Sequence, residues 1–230
     1  MVQYVNGKIY LKIVYYGMAG SGKTTILKTL YKLTEENKRE IVPVTDLKQI
    51  ERASGATLYF DMGIFKSTTQ KKVYYRVFTV AGQKSFASLR DKVFNKLNEE
   101  TDAVIFVVDS QTKYFEDNID FLLELKSIAN DRLIKEIPLI IMLNKQDLKE
   151  TINADNFIQI LKREKLWYEP EHDLSIWNPL IYKTCALYNQ QKDIYRSFHE
   201  IARRTALYHL YGDGQAPVDK MISDTSILTN

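Results

Sequence analysis

The sequence predicts an α/β fold, in which a mostly parallel sheet of six or seven strands carries helices on both faces. Short apolar runs alternate along the chain with amphipathic stretches, as expected when strands and helices alternate. The runs at 103–109 and 138–143 are apolar almost throughout, which indicates strands buried on both faces. The 230 residues include only nine glycines, yet Gly17, Gly20 and Gly22 lie close together directly after an apolar run.

Strands are expected where segments are short, rich in β-branched or aromatic residues, and bounded by polar residues or glycine. These segments are 9–16, 57–61, 72–80, 103–109, 138–143 and 180–184. Apolar residues spaced three and four apart predict helices near 23–33, 85–97, 118–130, 155–164 and 192–211. Tyr75 and Val77 alternate with Tyr74 and Arg76, so the strand at 72–80 or its neighbour could belong to an antiparallel edge pair.

The composition argues against a nucleic-acid partner, because 32 Lys and Arg residues against 29 Asp and Glu leave a net charge of only +3. No apolar run approaches the roughly 18 residues of a membrane-spanning helix. The single cysteine and the lack of a signal peptide or lipidation motif favour a cytoplasmic protein. The length predicts one domain over residues 1–211, and the polar residues 212–230 are expected to form a flexible tail.

The segment GMAGSGKT at 17–24 matches the phosphate-loop pattern G-x-x-x-x-G-K-[ST] between a predicted strand and a predicted helix. It therefore predicts a P-loop NTPase fold, in which backbone N–H groups and the helix N-terminus hold phosphates. Lys23 is expected to reach the β- and γ-phosphates, and the Thr24 hydroxyl to bind Mg²⁺. The expected nucleotide contacts here are Gly17, Ala19, Gly20, Ser21, Gly22, Lys23, Thr24 and Thr25.

The segment NKQD at 144–147 follows a predicted strand and indicates guanine as the base. The Asp147 carboxylate can accept hydrogen bonds from N1–H and the 2-amino group of guanine, a donor pair that adenine lacks. Lys145 could lie along the base, and Asn144 could tie this loop to the phosphate loop. After the next predicted strand, the segment TCAL at 184–187 fits a loop in which the Ala186 backbone N–H meets the guanine carbonyl, and Cys185 beside it is a further expected nucleotide contact.

The order of these motifs over about residues 9–210 resembles the Ras-like small GTPases. Four segments are most similar to the MglA-type GTPases of bacteria and their archaeal relatives: KIVYYG at 12–17, TLYFD at 57–61, TVAGQ at 79–83 and FVVDSQ at 106–111. The resemblance implies a molecular switch that binds GTP or GDP with Mg²⁺ and hydrolyses GTP slowly until an activator binds.

The resemblance also implies roles for residues in two switch segments. Residues 35–56 would form the first switch, and Thr57 would contact both Mg²⁺ and the γ-phosphate; Thr45 is the rival for this role. In the second switch, Gly82 would donate its N–H to the γ-phosphate, and Gln83 would orient the attacking water.

The chain departs from the superfamily pattern at Thr79, where an aspartate usually holds Mg²⁺ through water. MglA-type proteins resemble this chain in lacking that aspartate. Asp61 or Asp109 could supply the missing carboxylate, because each lies at the end of a predicted strand, and the sequence does not choose between them.

Arginine is the other departure. MglA-type proteins tend to carry an arginine directly before the switch threonine, but this chain has Ala56 there and Arg52 nearby. Arg52 is therefore a candidate catalytic residue beside Gln83 and Lys23, and a solvated loop charge is the alternative. An arginine finger increases the rate by about 10³–10⁵, so slow intrinsic hydrolysis is expected.

The resemblance implies effector and regulator proteins, with a roadblock-fold protein as the first activating partner to test. Peripheral membrane association stays open, as does the choice between a monomer and a switch-dependent dimer. Two other functions also stay open. The chain could hold guanine nucleotide without significant turnover, or it could be a P-loop ATPase or kinase, against which the NKQD segment argues.

Replacing the expected guanine-reading carboxylate gives the first testable prediction. We expect Asp147→Asn to weaken GDP binding by about 10- to 150-fold, the equivalent of a charged hydrogen bond of about 1.5–3 kcal/mol. The new amide can donate to the 2-oxo group of xanthine, so preference should shift towards xanthine nucleotides. Competition between labelled GDP and unlabelled XDP measures both effects, and unchanged guanine selectivity would contradict the assigned role.

Overall fold

The computed structural model of the chain describes residues 3–36, 39–50, 60–95 and 100–218. Within these ranges, one sheet is built from β1 (Gln3–Val5), β2 (Lys8–Tyr16), β3 (Ile41–Pro43), β4 (Lys48–Ile50), β5 (Phe60–Ser67), β6 (Val73–Thr79), β7 (Ala103–Asp109), β8 (Leu139–Asn144) and β9 (Leu180–Lys183). The α-helices are α1 (Lys23–Glu36), α2 (Ala87–Asn95), α3 (Phe115–Ile128), α4 (Ala154–Arg163) and α5 (Ile194–Tyr211).

The strands lie in the order β3-β5-β6-β2-β7-β8-β9, with β1 paired to β2 and β4 paired to β5. The neighbouring strands β6, β2, β7, β8 and β9 are parallel to one another. In contrast, β3 and β4 pair antiparallel with β5, and β5 pairs antiparallel with β6. This arrangement confirms the predicted mostly parallel α/β fold. The strand at 72–80 (β6) pairs antiparallel with its neighbour β5, as one of the expected alternatives had it, but it pairs parallel with β2 on its other side and is not an edge strand.

Of the strand expected at 57–61, residues 57–59 lie outside the described residues, and residues 60 and 61 begin a strand that extends six residues beyond the predicted end. The structure has β5 from Phe60 to Ser67, because residues 62–66 form the ladder with β6. Three short strands were not predicted: β1, β3 and β4, each three residues long. The β1–β2 hairpin turns at Asn6-Gly7, a dipeptide that itself favours two-residue hairpin turns.

The core lies on both faces of the sheet because successive residues of the central strands point to opposite faces. Every residue of β7 and of β8 is buried. One cluster of buried apolar side chains includes Phe106 and Leu122, and the cluster on the other face includes Ile105 and Phe198. Because β2, β6, β7, β8 and β9 are parallel, their carboxyl ends lie at one edge of the sheet, and the loops that follow β2, β6, β8 and β9 lie at that edge.

Residues that follow α5 return to the body of the protein. The Trp177 Nε1–H donates to the carbonyl of Pro217 at 2.9 Å, and the Ala216 N–H donates to the carbonyl of Lys135 at 2.6 Å. Residues 219–230, the remainder of the expected tail, lie outside the described residues. In the ranges that the structure describes, no helix combines the length and apolarity needed to cross a bilayer.

Two neighbouring leucines of α3 test how much the core contributes to stability. Leu122 is fully buried, whereas Leu123 is 39% exposed. We expect Leu122→Ala to lower the free energy of unfolding by about 2–5 kcal/mol, because it leaves a cavity in the core. Leu123→Ala is the matched control and should change it by less than about 1 kcal/mol. Urea denaturation measures both, and equal losses would contradict the assigned orientation of α3.

Candidate nucleotide site

The phosphate loop joins the end of β2 to the start of α1. Gly22 has φ +100°, and a Cβ there would collide with the side-chain amide of Asn144. The Lys23 ammonium donates to the carbonyls of Gly17 and Met18, each at 2.7 Å. These bonds fold the lysine side chain back along the loop, so its charge lies where the loop would enclose a phosphate.

The electrostatics of this loop suit an anion. Burial, followed by the charge of Arg90, lowers the pKa of Lys23 to about 7. The first turn of α1 carries no acidic side chain of its own, although the Asp61 carboxylate of β5 contacts Thr24 there. The Ser21 hydroxyl is buried and has no hydrogen-bond partner among the described residues. Burial and a neighbouring positive charge disfavour the Lys23 ammonium, and an anion beside it would stabilise that charge. A phosphate could also accept a hydrogen bond from the unpaired Ser21 hydroxyl, so both groups fit a site that binds phosphate.

A cleft of about 470 Å³ opens beside the loop. It brings together residues that the sequence assigned to phosphate, metal and hydrolysis, since its lining includes Ala19, Gly20, Gly22, Lys23, Thr24, Thr25, Asp61, Thr79, Gly82 and Gln83. These residues come from three separate segments of the chain. The fold therefore assembles one site from motifs that are up to about 60 residues apart in sequence.

Asp61 is the carboxylate beside the expected metal ligand Thr24. The Thr24 hydroxyl donates to Asp61 Oδ2 at 2.5 Å, and the Thr79 hydroxyl donates to the same oxygen at 3.2 Å. The backbone N–H of Asp61 in turn donates to the Thr79 hydroxyl oxygen at 3.0 Å. Asp61 is only 7% exposed. Thr79, which stands where an aspartate is usual, thus helps to orient the aspartate of the neighbouring strand.

Asp109 lies elsewhere in the site. Its carboxylate pairs with the Lys145 ammonium at 2.6 Å and accepts from the Gln111 side chain at 3.0 Å. These contacts hold it beside the loop that follows β8. Of the two aspartates that the sequence left open, Asp61 is the one in contact with Thr24.

The segment containing Gly82 packs directly onto the phosphate loop. A Cβ on Gly82 would collide with the backbone of Met18 and Ala19, and the Ala19 N–H donates to the Gly82 carbonyl at 2.7 Å. Gln83 is exposed and lines the cleft. Its carbonyl accepts a hydrogen bond from the buried side chain of Arg90, a contact that no sequence motif signalled.

The loops expected to bind guanine lie against the phosphate loop. The Asn144 amide donates to the carbonyl of Ser21 at 2.8 Å and accepts from the Thr184 hydroxyl at 3.2 Å. The Thr29 hydroxyl of α1 donates to the carbonyl of Ala186 at 2.6 Å, which fixes the loop after β9. Asp147 is exposed, whereas its neighbour Cys185 is buried.

Two sequence candidates cannot be placed. Arg52 and Thr57 lie outside the described residues, as does Ala56. Thr45, the rival of Thr57, is described and exposed. It lines a different cleft together with Tyr31 and Asp46, so the structure does not bring it to the phosphate loop.

The fold and the phosphate loop define a P-loop nucleotide-binding protein of the small GTPase class. The chain belongs to the Arf family, the ADP-ribosylation factor family, which it matches over residues 1–203. Members of this family bind GTP and GDP and are generally GTP hydrolases. The family assignment confirms the resemblance to Ras-like small GTPases.

Individual relatives support the same assignment. The chain is 28% identical to the mutual gliding-motility protein MglA of Myxococcus xanthus over 173 residues, which cover 72% of this chain and 82% of that protein. It is also 28% identical to ADP-ribosylation factor-like protein 6 of Danio rerio, over 70% of this chain and 76% of that protein. ADP-ribosylation factor-like protein 3 of Chlamydomonas reinhardtii is 27% identical, with coverage of 68% and 76%.

The contact between Thr24 and Asp61 generates a prediction about magnesium. We expect Asp61→Asn to raise the Mg²⁺ concentration needed to retain bound GDP by about 10- to 100-fold, because the amide lacks the carboxylate charge. Release of a fluorescent GDP analogue during titration with a chelator measures this. Asp109→Asn is the control and should leave the Mg²⁺ dependence unchanged. A shift only in the Asp109 variant would reverse the assignment.

Proposed function

We propose that this protein is a guanine-nucleotide switch that hydrolyses GTP to GDP and phosphate. The observation that carries the proposal is the single cleft at which Lys23, the Thr24–Asp61 pair and Gln83 meet. The loop with Asn144 and Asp147 lies next to this cleft through the hydrogen bond from Asn144 to Ser21. A nucleotide with its phosphates in the cleft would thus present its base to that loop.

Binding of the phosphates would use the chain's own positive groups. The Lys23 ammonium would exchange its two carbonyl partners for phosphate oxygens, and the N–H groups of the loop would add hydrogen bonds. Thr24 and Asp61 would hold Mg²⁺, the first through its hydroxyl and the second through its carboxylate. When bound, Mg²⁺ would neutralise negative charge on the β- and γ-phosphates.

Guanine would be selected by Asp147. Its exposed carboxylate is available to accept from the two donors at the guanine edge. Lys145 is held by its ion pair with Asp109, so its stem has a defined direction beside this loop. The N–H of Ala186 would meet the guanine carbonyl, and the neighbouring residue Cys185 would contact the base.

Hydrolysis would depend on Gln83, which would orient the attacking water, while Gly82 would contact the γ-phosphate. Thr57 would join them as a sensor of Mg²⁺ and the γ-phosphate, and Arg52 is the candidate finger. Loss of the γ-phosphate would release these segments, so an effector could distinguish the GTP-bound from the GDP-bound conformation.

We propose that intrinsic hydrolysis is slow and that a regulator accelerates it, with a roadblock-fold protein as the first candidate. The protein would act in the cytoplasm.

Single-turnover hydrolysis of GTP tests this function. We expect slow phosphate release from the parent protein and at least about tenfold slower release from Gln83→Leu, with GDP affinity unchanged, because only the water loses its positioning group. Release of labelled phosphate from preloaded protein measures the rate, and competition with ATP measures base selectivity.

Three outcomes would separate the candidate functions. Equal rates for the parent protein and Gln83→Leu would remove Gln83 from the reaction. Tight GTP binding without any phosphate release, with or without candidate activators, would favour a module that holds nucleotide without turnover; Thr79 at the usual aspartate position favours this second function. Displacement of GDP by ATP as readily as by GTP would contradict both.

A further inference from the structure

Arg90 of α2 is fully buried and is the largest fully buried side chain among the described residues. Its Nη1 donates to the carbonyls of Ala81 at 2.9 Å and Gln83 at 2.6 Å. Its Nε and Nη2 donate to the two carboxylate oxygens of Glu124 at 2.6 and 2.7 Å. One side of the guanidinium therefore holds the loop that lines the cleft, and the other side is fixed to α3.

Glu124 is itself held by Tyr16, whose hydroxyl donates to Oε1 at 2.6 Å. Tyr16 is the last residue of β2 and directly precedes Gly17 of the phosphate loop. A continuous set of hydrogen bonds thus runs from the strand that enters the phosphate loop, through α3 and α2, to the carbonyl of Gln83.

The charges of this network agree with its geometry. Burial alone would raise the pKa of Glu124, but the hydrogen bonds from Arg90 and Tyr16 outweigh burial and lower that pKa. Burial, together with Glu124, raises the pKa of Tyr16. Glu124 is therefore an ionised acceptor and Tyr16 a neutral donor, which is the arrangement that a bidentate arginine–carboxylate pair requires.

We propose that Arg90 is a positioning residue for GTP hydrolysis and that Glu124 and Tyr16 keep it in place. This inference rests on the proposed function. Arg90 acts through the backbone of residues 81–83, which line the cleft, and Gln83 is the residue among them whose side chain would orient the attacking water.

The backbone of these three residues has little freedom left. Arg90 binds the carbonyls of Ala81 and Gln83, and the Ala19 N–H binds the carbonyl of Gly82 between them. Three successive carbonyls thus have fixed partners on two different elements. A misplacement of about 1 Å at a reacting group can cost about 100-fold in rate, so loosening this loop would act on hydrolysis.

The substitution Arg90→Lys tests whether the positive charge at this position is sufficient or whether the hydrogen-bond geometry of the guanidinium is required. A lysine keeps the positive charge, but a single ammonium cannot reproduce the planar fork that holds a carboxylate and two carbonyls together. We expect Arg90→Lys to slow single-turnover GTP hydrolysis by about 10- to 100-fold. The dissociation constant for GDP should change by less than about threefold, because no nucleotide-binding group is removed.

Arg204→Lys is the matched control. Arg204 is also buried, and it also holds one carboxylate and two carbonyls: those of Glu200, Trp177 and Asn178. None of these groups lines the cleft. Both lysine variants should lose thermal stability, but only Arg90→Lys should lose hydrolysis. Equal loss of hydrolysis in the two variants would show that Arg90 has a structural role alone.

A double-mutant cycle with Gln83→Leu gives the decisive result. If Arg90 acts by placing Gln83, the double variant should hydrolyse GTP no more slowly than Gln83→Leu by itself. Rate losses that multiply would overturn the proposal, because they would show that Arg90 acts independently of Gln83. Tyr16→Phe, which removes one hydroxyl, should give a smaller loss in the same direction and serves if Arg90→Lys does not fold.

Hydrogen exchange gives a readout that does not depend on turnover. Backbone amides of residues 81–86 should exchange faster in Arg90→Lys than in the parent protein or Arg204→Lys, with GDP bound in each case. Unchanged exchange there would overturn the positioning role even if hydrolysis slows. A parent protein that binds GTP but never releases phosphate would instead refute the proposed hydrolysis, while faster exchange would still show that Arg90 holds the loop.

Discussion

The hydrogen bond from Asn144 to the carbonyl of Ser21 is the contact on which the geometry of the site depends. It joins the loop after β8 to the loop after β2, although the two residues are 123 positions apart. Gly22 leaves the space for the Asn144 amide, and Thr184 orients that amide from the next loop. Because the three strands are parallel, their loops emerge at one edge, and this bond sets how far the loop that contains Asp147 lies from the phosphate loop.

The contact between Thr79 and Asp61 follows from strand pairing. Met62 lies opposite Phe78 in the antiparallel ladder of β5 and β6, so Asp61 comes next to Thr79 at the end of the ladder. A carboxylate on β5 thereby reaches Thr24 from the strand beside the one that usually carries it. Thr79 contributes a hydroxyl that bonds the carboxylate oxygen and accepts from the Asp61 N–H. A carboxylate therefore still lies beside Thr24, although it belongs to Asp61 on β5 and not to the residue at position 79 on β6.

The sequence was sufficient for the centre of the fold and for the loops at its edge. β7 and β8 are apolar on both faces, and the phosphate loop has a pattern that, between a predicted strand and a predicted helix, is typical of a strand–loop–helix unit. The position of Asp61 could not be predicted, because shifting β5 by one residue would turn this side chain to the opposite face. The burial of Arg90 could not be predicted either, because a charged residue in an amphipathic helix is expected to be exposed. Its partner Glu124 comes from a different helix and reaches it only through the packing of α2 against α3.

Arg90 and Arg204 show that the same buried chemistry can have two consequences. Arg204 pairs with Glu200 of its own helix, and the carbonyls it holds belong to residues 177 and 178, away from the cleft. Arg90 pairs with a carboxylate on a different helix, and the carbonyls it holds belong to a loop that lines the cleft. Because a buried ion pair adds little net stability over apolar packing, the contribution of Arg90 is expected in the geometry of that loop. The location of the acceptors, rather than the arginine itself, makes one residue structural and the other a positioning residue.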